Sequence, residues 1–365
     1  MISKLEVSSL KLKRMPRVFA GLGLWMGCAL SVAAQGAEVP MIYGFSAQPE
    51  TSVTAVAPLR SPVRELSGDV AGELGLVASR YEDTFAAIGN RHSLGFLEMV
   101  KANPGIDPWL PGEGTQVTLP TMYVMPDAPR DGIVINLAEY RLYYFRGDGK
   151  VQVFPVGIGR DSAPSPLTLA EVTMRLKSPA WYPPESVRAE HAAEGDILPR
   201  VVPPGPDNPL GDHALLLSEK GYLIHGTNKK FGIGMAVSHG CFRMYNEDIA
   251  QFAYTVDKGT KVHVVQQPVK LGMSGRQLWL EVHRADEEYP AAEREKLWQL
   301  VSDKVAEYSS NHAALQLNRA AIELAVDQAD GLPRLIGEQV VQSADARVQD
   351  APKAASGEQP VNYWF

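Results

Sequence analysis

The sequence predicts an α+β protein: a mainly β central domain, a small strand–helix–helix–strand module before it and a helical extension behind it. Three patterns carry this. β-rich segments joined by tight turns fill residues 131–268. Two short apolar helical patterns sit between strand-like stretches within residues 79–121. From 290 to 330 the apolar residues recur at helical spacing.

Residues 1–34 open the chain with a basic stretch, Lys11 to Arg14 with Arg17, followed by an apolar run from Val18 to Ala34. Small residues around Ala34 and Ala37 suit cleavage, and about 17 apolar residues is short for a membrane span, so a signal peptide is expected over 1–34. The chain carries 35 basic and 42 acidic residues, a net charge of −7. Five of the basic residues (Lys4, Lys11, Lys13, Arg14, Arg17) and one acidic residue (Glu6) lie in that segment, leaving 30 against 41, or −11. An acidic mature chain is poorly suited to phosphate backbones, which excludes nucleic acid as the expected partner. Cys28 would leave with the signal, so the exported chain keeps one thiol, Cys241. A lone thiol in an oxidising compartment is a candidate nucleophile.

Residues 35–78 read as a linker or short strands. Within 79–121, Tyr81 to Thr84 caps a first helix with Phe85, Ala86 and Ile88 on its apolar face. Leu94, Leu97, Met99 and Val100 mark a second helix, Ala102 to Gly105 breaks it, and Thr115 to Leu119 alternates as a strand. In the central domain Ile133–Leu137 and Arg141–Phe145 are strands, and Gly147-Asp148-Gly149 turns the chain into a return strand from Val151. Ala214–Leu217 pairs with Tyr222–His225, and Lys261–Val265 closes the set. Asn246 is expected to cap a helix carrying Ile249, Phe252, Ala253 and Val256 on one face. Eight prolines between 179 and 209 predict a long irregular loop, a candidate lid. A helical extension is expected over 276–340, and residues 341–365, rich in Ala, Ser, Gln and charge, predict a disordered tail.

The chemistry concentrates in two segments, His225-Gly226 through Gly234 and Val237-Ser238-His239-Gly240-Cys241-Phe242-Arg243. A thiol of ordinary pKa needs an imidazole beside it to act as a nucleophile at neutral pH, and His225 can supply one. Gly240 permits close approach of a substrate, and the N–H groups around Gly240 and Cys241 are candidates to hold an oxyanion. Arg243 offers a planar fork for a carboxylate. His239, two residues from Cys241, shares its face if the segment is extended. One Cys and two His are an incomplete structural zinc set.

His225-Gly226, then Ser238-His239-Gly240-Cys241 with Cys241 sixteen residues after His225, then Arg243, resembles the signature of the L,D-transpeptidase (YkuD-type) family. The likeness runs from about Gly132 to Pro268 and takes in Gly157-Ile158-Gly159, Pro203 to Pro209 and the helix opening at Asn246; it departs at Ser162 to Leu167. Asp83-Thr84, Asn103-Pro104 and Leu119-Pro120 resemble a LysM module over 79–121, a type that binds glycan.

The family likeness implies a β-sandwich with a short helix after the Cys. It implies that Cys241 attacks the diamino-acid carbonyl of a tetrapeptide stem, that His225 is base and acid, oriented by the carbonyl near Gly226, and that Gly240 supports it; His239 has a supporting or substrate-binding role, with the base role as its alternative. Arg243, Ser238, Asn228 and Trp181 are the expected substrate-binding residues. No metal or cofactor is needed. The implied acceptor is an amine, on an outer-membrane lipoprotein lysine or a second stem peptide, and the implied place is the periplasm. A carbapenem is the expected covalent inhibitor. Water as acceptor, giving a peptidase, and a wall-binding protein with a silent catalytic domain are the competing readings.

Overall fold

The computed structural model describes residues 60–285, 289–312 and 315–340. The expected signal peptide and disordered tail lie outside these residues, as does most of the linker.

The first part holds β1 (Arg64–Ser67), β2 (Val70–Gly72), β3 (Gly75–Ala78), α1 (Phe85–His92), α2 (Phe96–Ala102), β4 (Gln116–Leu119) and β5 (Met122–Val124). Thr84 caps α1, its hydroxyl accepting from the Ala87 N–H at 3.1 Å. β3 and β4 pair antiparallel around the two helices, so the βααβ unit begins four residues earlier than expected. Phe85, Ile88, Leu94, Met99 and Val117 form its small core.

The central part comprises β6 (Gly132–Asn136), β7 (Arg141–Phe145), β8 (Lys150–Pro155), β9 (Ile158–Gly159), β10 (Leu169–Lys177), α3 (Glu185–Ala193), β11 (His213–Leu217), β12 (Leu223–His225), β13 (Ala236–Ser238), β14 (Phe242–Arg243), α4 (Asn246–Phe252) and β15 (Lys261–Val265). The strands run β14-β12-β11-β10-β15-β6-β7-β8-β1-β2-β5 in one hydrogen-bonded ladder. The expected sandwich is therefore one sheet turned on itself rather than two separate sheets. The turn lies at β10, whose first residues pair with β15 and whose remainder pairs with β11 across a register shift at Val172–Met174. Ile133, Leu142 and Phe154 from one half meet Leu215, Ile224 and Phe242 from the other, with Ile249 and Phe252 of α4 between them. Val134, Tyr143 and Val153 point the other way, onto Ala71 and Tyr123. β6–β8 are thus buried on both faces, which is why β6 and β7 carry the apolar runs Ile133–Ile135 and Leu142–Phe145, while Lys150 and Gln152 interrupt β8.

Two expectations are corrected here. Asn246 is the first residue of α4, and Tyr245 is the N-cap. The Asn246 amide instead brackets Thr227, accepting from its N–H at 3.0 Å and donating to its carbonyl at 2.9 Å. The extension is not wholly helical either: β16 (Val269–Ser274), β17 (Gln277–Val282), α5 (Ala291–Asn311), β18 (Leu315–Leu317), α6 (Arg319–Gln328) and β19 (Arg334–Gln339) form a four-stranded sheet carrying two helices. Leu297, Val301 and Val305 of α5 need an apolar surface, and Leu278, Leu280 and Ile336 supply it from the sheet.

Buried charge joins the three parts. Arg141 on β7 reaches Glu98 of α2 at 2.8 Å, Glu139 at 2.8 Å and Glu281 of β17 at 2.7 Å. Lys270 of β16 sits 2.7 Å from Glu139 and 3.0 Å from Glu281, and His283 lies 2.8 Å from Glu281. Donor atoms of Glu139, Glu281 and His283 fall within 4.8 Å of one another, a spacing that could hold a cation, and the Lys270 ammonium already fills that role. These cations hold the Glu281 carboxyl well below the usual carboxylate range.

Candidate active site

β12 and β14 pair in parallel, with Ile224 opposite Phe242 and His225 opposite Arg243. Ile224 and Phe242 are fully buried in the central core. Side chains alternate along a strand, so His225 and Arg243 face the other side of this edge, and the Arg243 guanidinium acts on both the His225 imidazole and the Cys241 thiol.

Cys241 is the free cysteine among the described residues and is half-buried. Its Sγ donates to the Gly221 carbonyl at 3.5 Å. Burial pushes the thiol above its ordinary pKa, while the Leu223 N–H and the Arg243 guanidinium pull the other way. Burial, and then the Arg243 charge, push the pKa of His225 down to about 4, against the carbonyls of Gly226 and Leu210. His225 Nδ1 lies 2.6 Å from the Gly226 carbonyl. A carbonyl only accepts, so Nδ1 carries the proton and Nε2 is left as a lone pair. Gly226 is required by close approach: a Cβ there would lie 2.0 Å from Asn246 Oδ1. The resting pair is a neutral thiol and a neutral imidazole.

The Arg243 Nε is buried without a hydrogen-bond partner. Burial lowers the pKa of this guanidinium, so an incoming anion would relieve its cost.

Residues 239–241 bend, and Gly240 adopts φ 109°. The Ser238 hydroxyl donates to the Cys241 carbonyl at 2.6 Å and accepts from the Gly240 N–H at 3.0 Å. Ser165, buried below, donates to the Gly240 carbonyl at 2.7 Å and accepts from the Gly159 N–H at 2.9 Å. Ser238 therefore spends its hydroxyl on holding the bend. The expected oxyanion pair loses a member, because the Gly240 N–H already donates to Ser238.

The bend also removes the reason for placing His239 on the face of Cys241. His239 Nε2 lies 3.0 Å from Arg160 Nη2 and 3.1 Å from Glu190 Oε2. Arg160 follows β9, and Glu190 stands on α3 inside the proline-rich segment. That segment is not a wholly irregular loop: Pro184 precedes nine helical residues. Trp181 bridges to Val202 across the segment, and exposed Asn228 donates to the Asp207 carbonyl at 3.0 Å. Both of these bonds tie the segment together, and neither involves Cys241. Arg160, Glu190, Ser165 and Asn246 escaped the sequence reading as site residues. Glu185 to Ala193 contains no proline, and that gap was the available signal for α3.

The L,D-transpeptidase catalytic domain model matches residues 130–264, which span every residue of this site. A Fuscovulum blasticum protein named "Putative L,D-transpeptidase in ATP synthase subunits region ORF 5" is 35% identical over 134 residues, covering 36% of this chain and 68% of that one. The chain belongs to the L,D-transpeptidase family. Two Escherichia coli relatives, named probable L,D-transpeptidases YcfS and ErfK/SrfK, are each 44% identical, over 54% and 55% of this chain. The chain spans 64% of the length of each. Among solved structures, an L,D-transpeptidase from Mycobacterium smegmatis aligns at 15% identity over 41% of this chain and 63% of that one. The TM-score of that alignment is 0.29. The matched residues thus hold β6 to β15 of the turned sheet but for the last residue of β15, while β1, β2 and β5 of that sheet, α1, α2 and the C-terminal sheet lie outside them.

Proposed function

We propose that the protein is a peptidoglycan L,D-transpeptidase working through Cys241. One observation supports this: in a chain of this family, Arg243 lies cross-strand from His225 and its guanidinium acts on both the His225 imidazole and the Cys241 thiol. His225 Nε2 takes the thiol proton as Sγ bonds to the diamino-acid carbonyl of a tetrapeptide stem. The tetrahedral oxyanion collapses, the bond to the terminal D-Ala breaks, and the imidazolium returns its proton to the departing amine. An acceptor amine then attacks the thioester, loses a proton to His225, and restores the thiol. Arg243 binds a substrate carboxylate. Ser238 and Gly240 shape the bend, and Trp181 and Asn228 hold the proline-rich segment against the substrate.

The acceptor is a lysine amine on an outer-membrane lipoprotein, or the side-chain amine of a second stem, as the family likeness implies. Residues 1–34 direct export. The βααβ unit holds the enzyme on glycan as a LysM-like module, and its strand pairing supports that reading.

A carbapenem tests the nucleophile, since its strained amide presents an acyl carbon to an activated thiol. Intact-mass analysis should show one adduct on the wild type and none on Cys241→Ala. An equal adduct on both would overturn the assignment.

A further inference from the structure

Beside the bend that carries Cys241 lies a cavity of about 570 Å³, lined by Arg160, Ser162, Pro184, Val187, Glu190 and His239. Its polar end holds opposite charges side by side. Arg160 Nη2 lies 2.6 and 2.5 Å from the two Glu190 oxygens, and both groups are about one-third exposed. Arg160 uses only that nitrogen for Glu190 and His239, and its Nε is buried without a partner. The Glu190 carboxyl is held below its ordinary pKa, first by Arg160 and then by His239, so it stays ionised at neutral pH.

We propose that Arg160, Glu190 and His239 form a subsite for a zwitterionic group, an amine and a carboxylate on one carbon. A guanidinium fork with donors to spare takes the carboxylate, and the ionised Glu190 takes the ammonium. A lone ammonium or a lone carboxylate would satisfy one half of the pair and crowd the other. His239 closes the third side, and its ring joins the subsite to the bend.

This rests on the acyl-transfer reading and deepens it, because the reacting residue there is a diamino acid. If that residue's side chain ends in an amine and a carboxylate, its far end is the matching ligand. Its two α-carbons stand about 5 Å apart, and His239 is two residues from Cys241. In this arrangement the carbonyl meets Sγ while the far end enters the cavity, and the donor series below tests that reach. Arg243, which does not line the cavity, remains for a backbone carboxylate of the stem.

Release of D-Ala is measured with three tetrapeptide donors: the side-chain end free, its carboxylate amidated, or its amine acetylated. Wild type should prefer the free donor by about 10–100-fold in kcat/KM over each of the others, chiefly through KM. Arg160→Gln should abolish the discrimination against the amidated donor and keep that against the acetylated one. Glu190→Gln should do the reverse, and Arg160→Lys should restore part of the carboxylate preference. Equal use of all three donors by wild type would overturn the subsite and leave acyl transfer intact. Equal slowing of all donors by both variants would mean that the pair only anchors α3, and would overturn it too. If wild type releases no D-Ala from any donor and takes no carbapenem at Cys241, the acyl-transfer reading falls first and the subsite with it.

Discussion

His225 and Arg243 are cross-strand partners, level with each other in the parallel pairing of β12 with β14. This one relationship places a permanent cation beside the imidazole and, after burial, helps drive its pKa down to about 4. It also leaves the thiol above its ordinary value despite that cation. The site therefore begins catalysis uncharged at His225 and Cys241, and the proton moves only when substrate arrives.

Alkylation of Cys241 by iodoacetamide tests that resting state. The thiol pKa is raised, so the thiolate fraction should climb about tenfold per pH unit from pH 6 to 8 without a plateau. His225 loses its proton near pH 4, below that window, and contributes no inflection within it. A plateau at neutral pH would show a preformed thiolate–imidazolium pair and contradict the account.

The two histidines should separate kinetically. His225→Ala should slow carbapenem acylation by about 10²–10⁴-fold, the usual cost of removing a general base. His239→Ala should cost less, because His239 Nε2 is held by Arg160 and Glu190. A larger loss for His239→Ala would exchange the roles.

Gly240→Ala probes the bend. At φ 109° a Cβ would stand 2.9 Å from Tyr222 Cε1, so the bend must shift. The variant should keep its circular dichroism spectrum and acylate at least about tenfold more slowly, as expected from misplacing a nucleophile. Wild-type acylation would show that the bend is not needed to aim the thiol.

Lys270→Met tests the buried charge network. Removing the ammonium leaves Glu139 and Glu281 with less compensation in a dry interior, at a cost of about 3–5 kcal/mol. Urea unfolding followed by tryptophan fluorescence should report that loss. A change under about 1 kcal/mol would mean that Arg141 alone satisfies both carboxylates.

The local parts of the fold were legible where local chemistry decides them. Gly147-Asp148-Gly149 marks the β7–β8 turn, and Thr84 caps the helix it is expected to cap. Cys241, His225 and Arg243 stood out because few residues separate them and their chemistry is distinctive. Asn246 was misread because its amide is drawn to Thr227, nineteen residues earlier, and a cap rule sees only the next few positions. α3 was hidden by the prolines around it. The β16–β17 pair was obscured because the strong helical period of α5 governed the reading of the whole extension. Glu190 meets His239 across 49 residues, and no local pattern encodes that meeting. The sheet's turn at β10 is likewise set by long-range packing.

Acyl transfer by Cys241 to an amine is tested most directly by incubating the protein with a tetrapeptide muropeptide and amine acceptors, one a lipoprotein lysine peptide and one a second stem. Mass spectrometry should find D-Ala released and the tripeptide joined to an acceptor amine, with neither product from Cys241→Ala. Free tripeptide alone, with no joined product from either acceptor, would contradict transfer and make the protein a hydrolase.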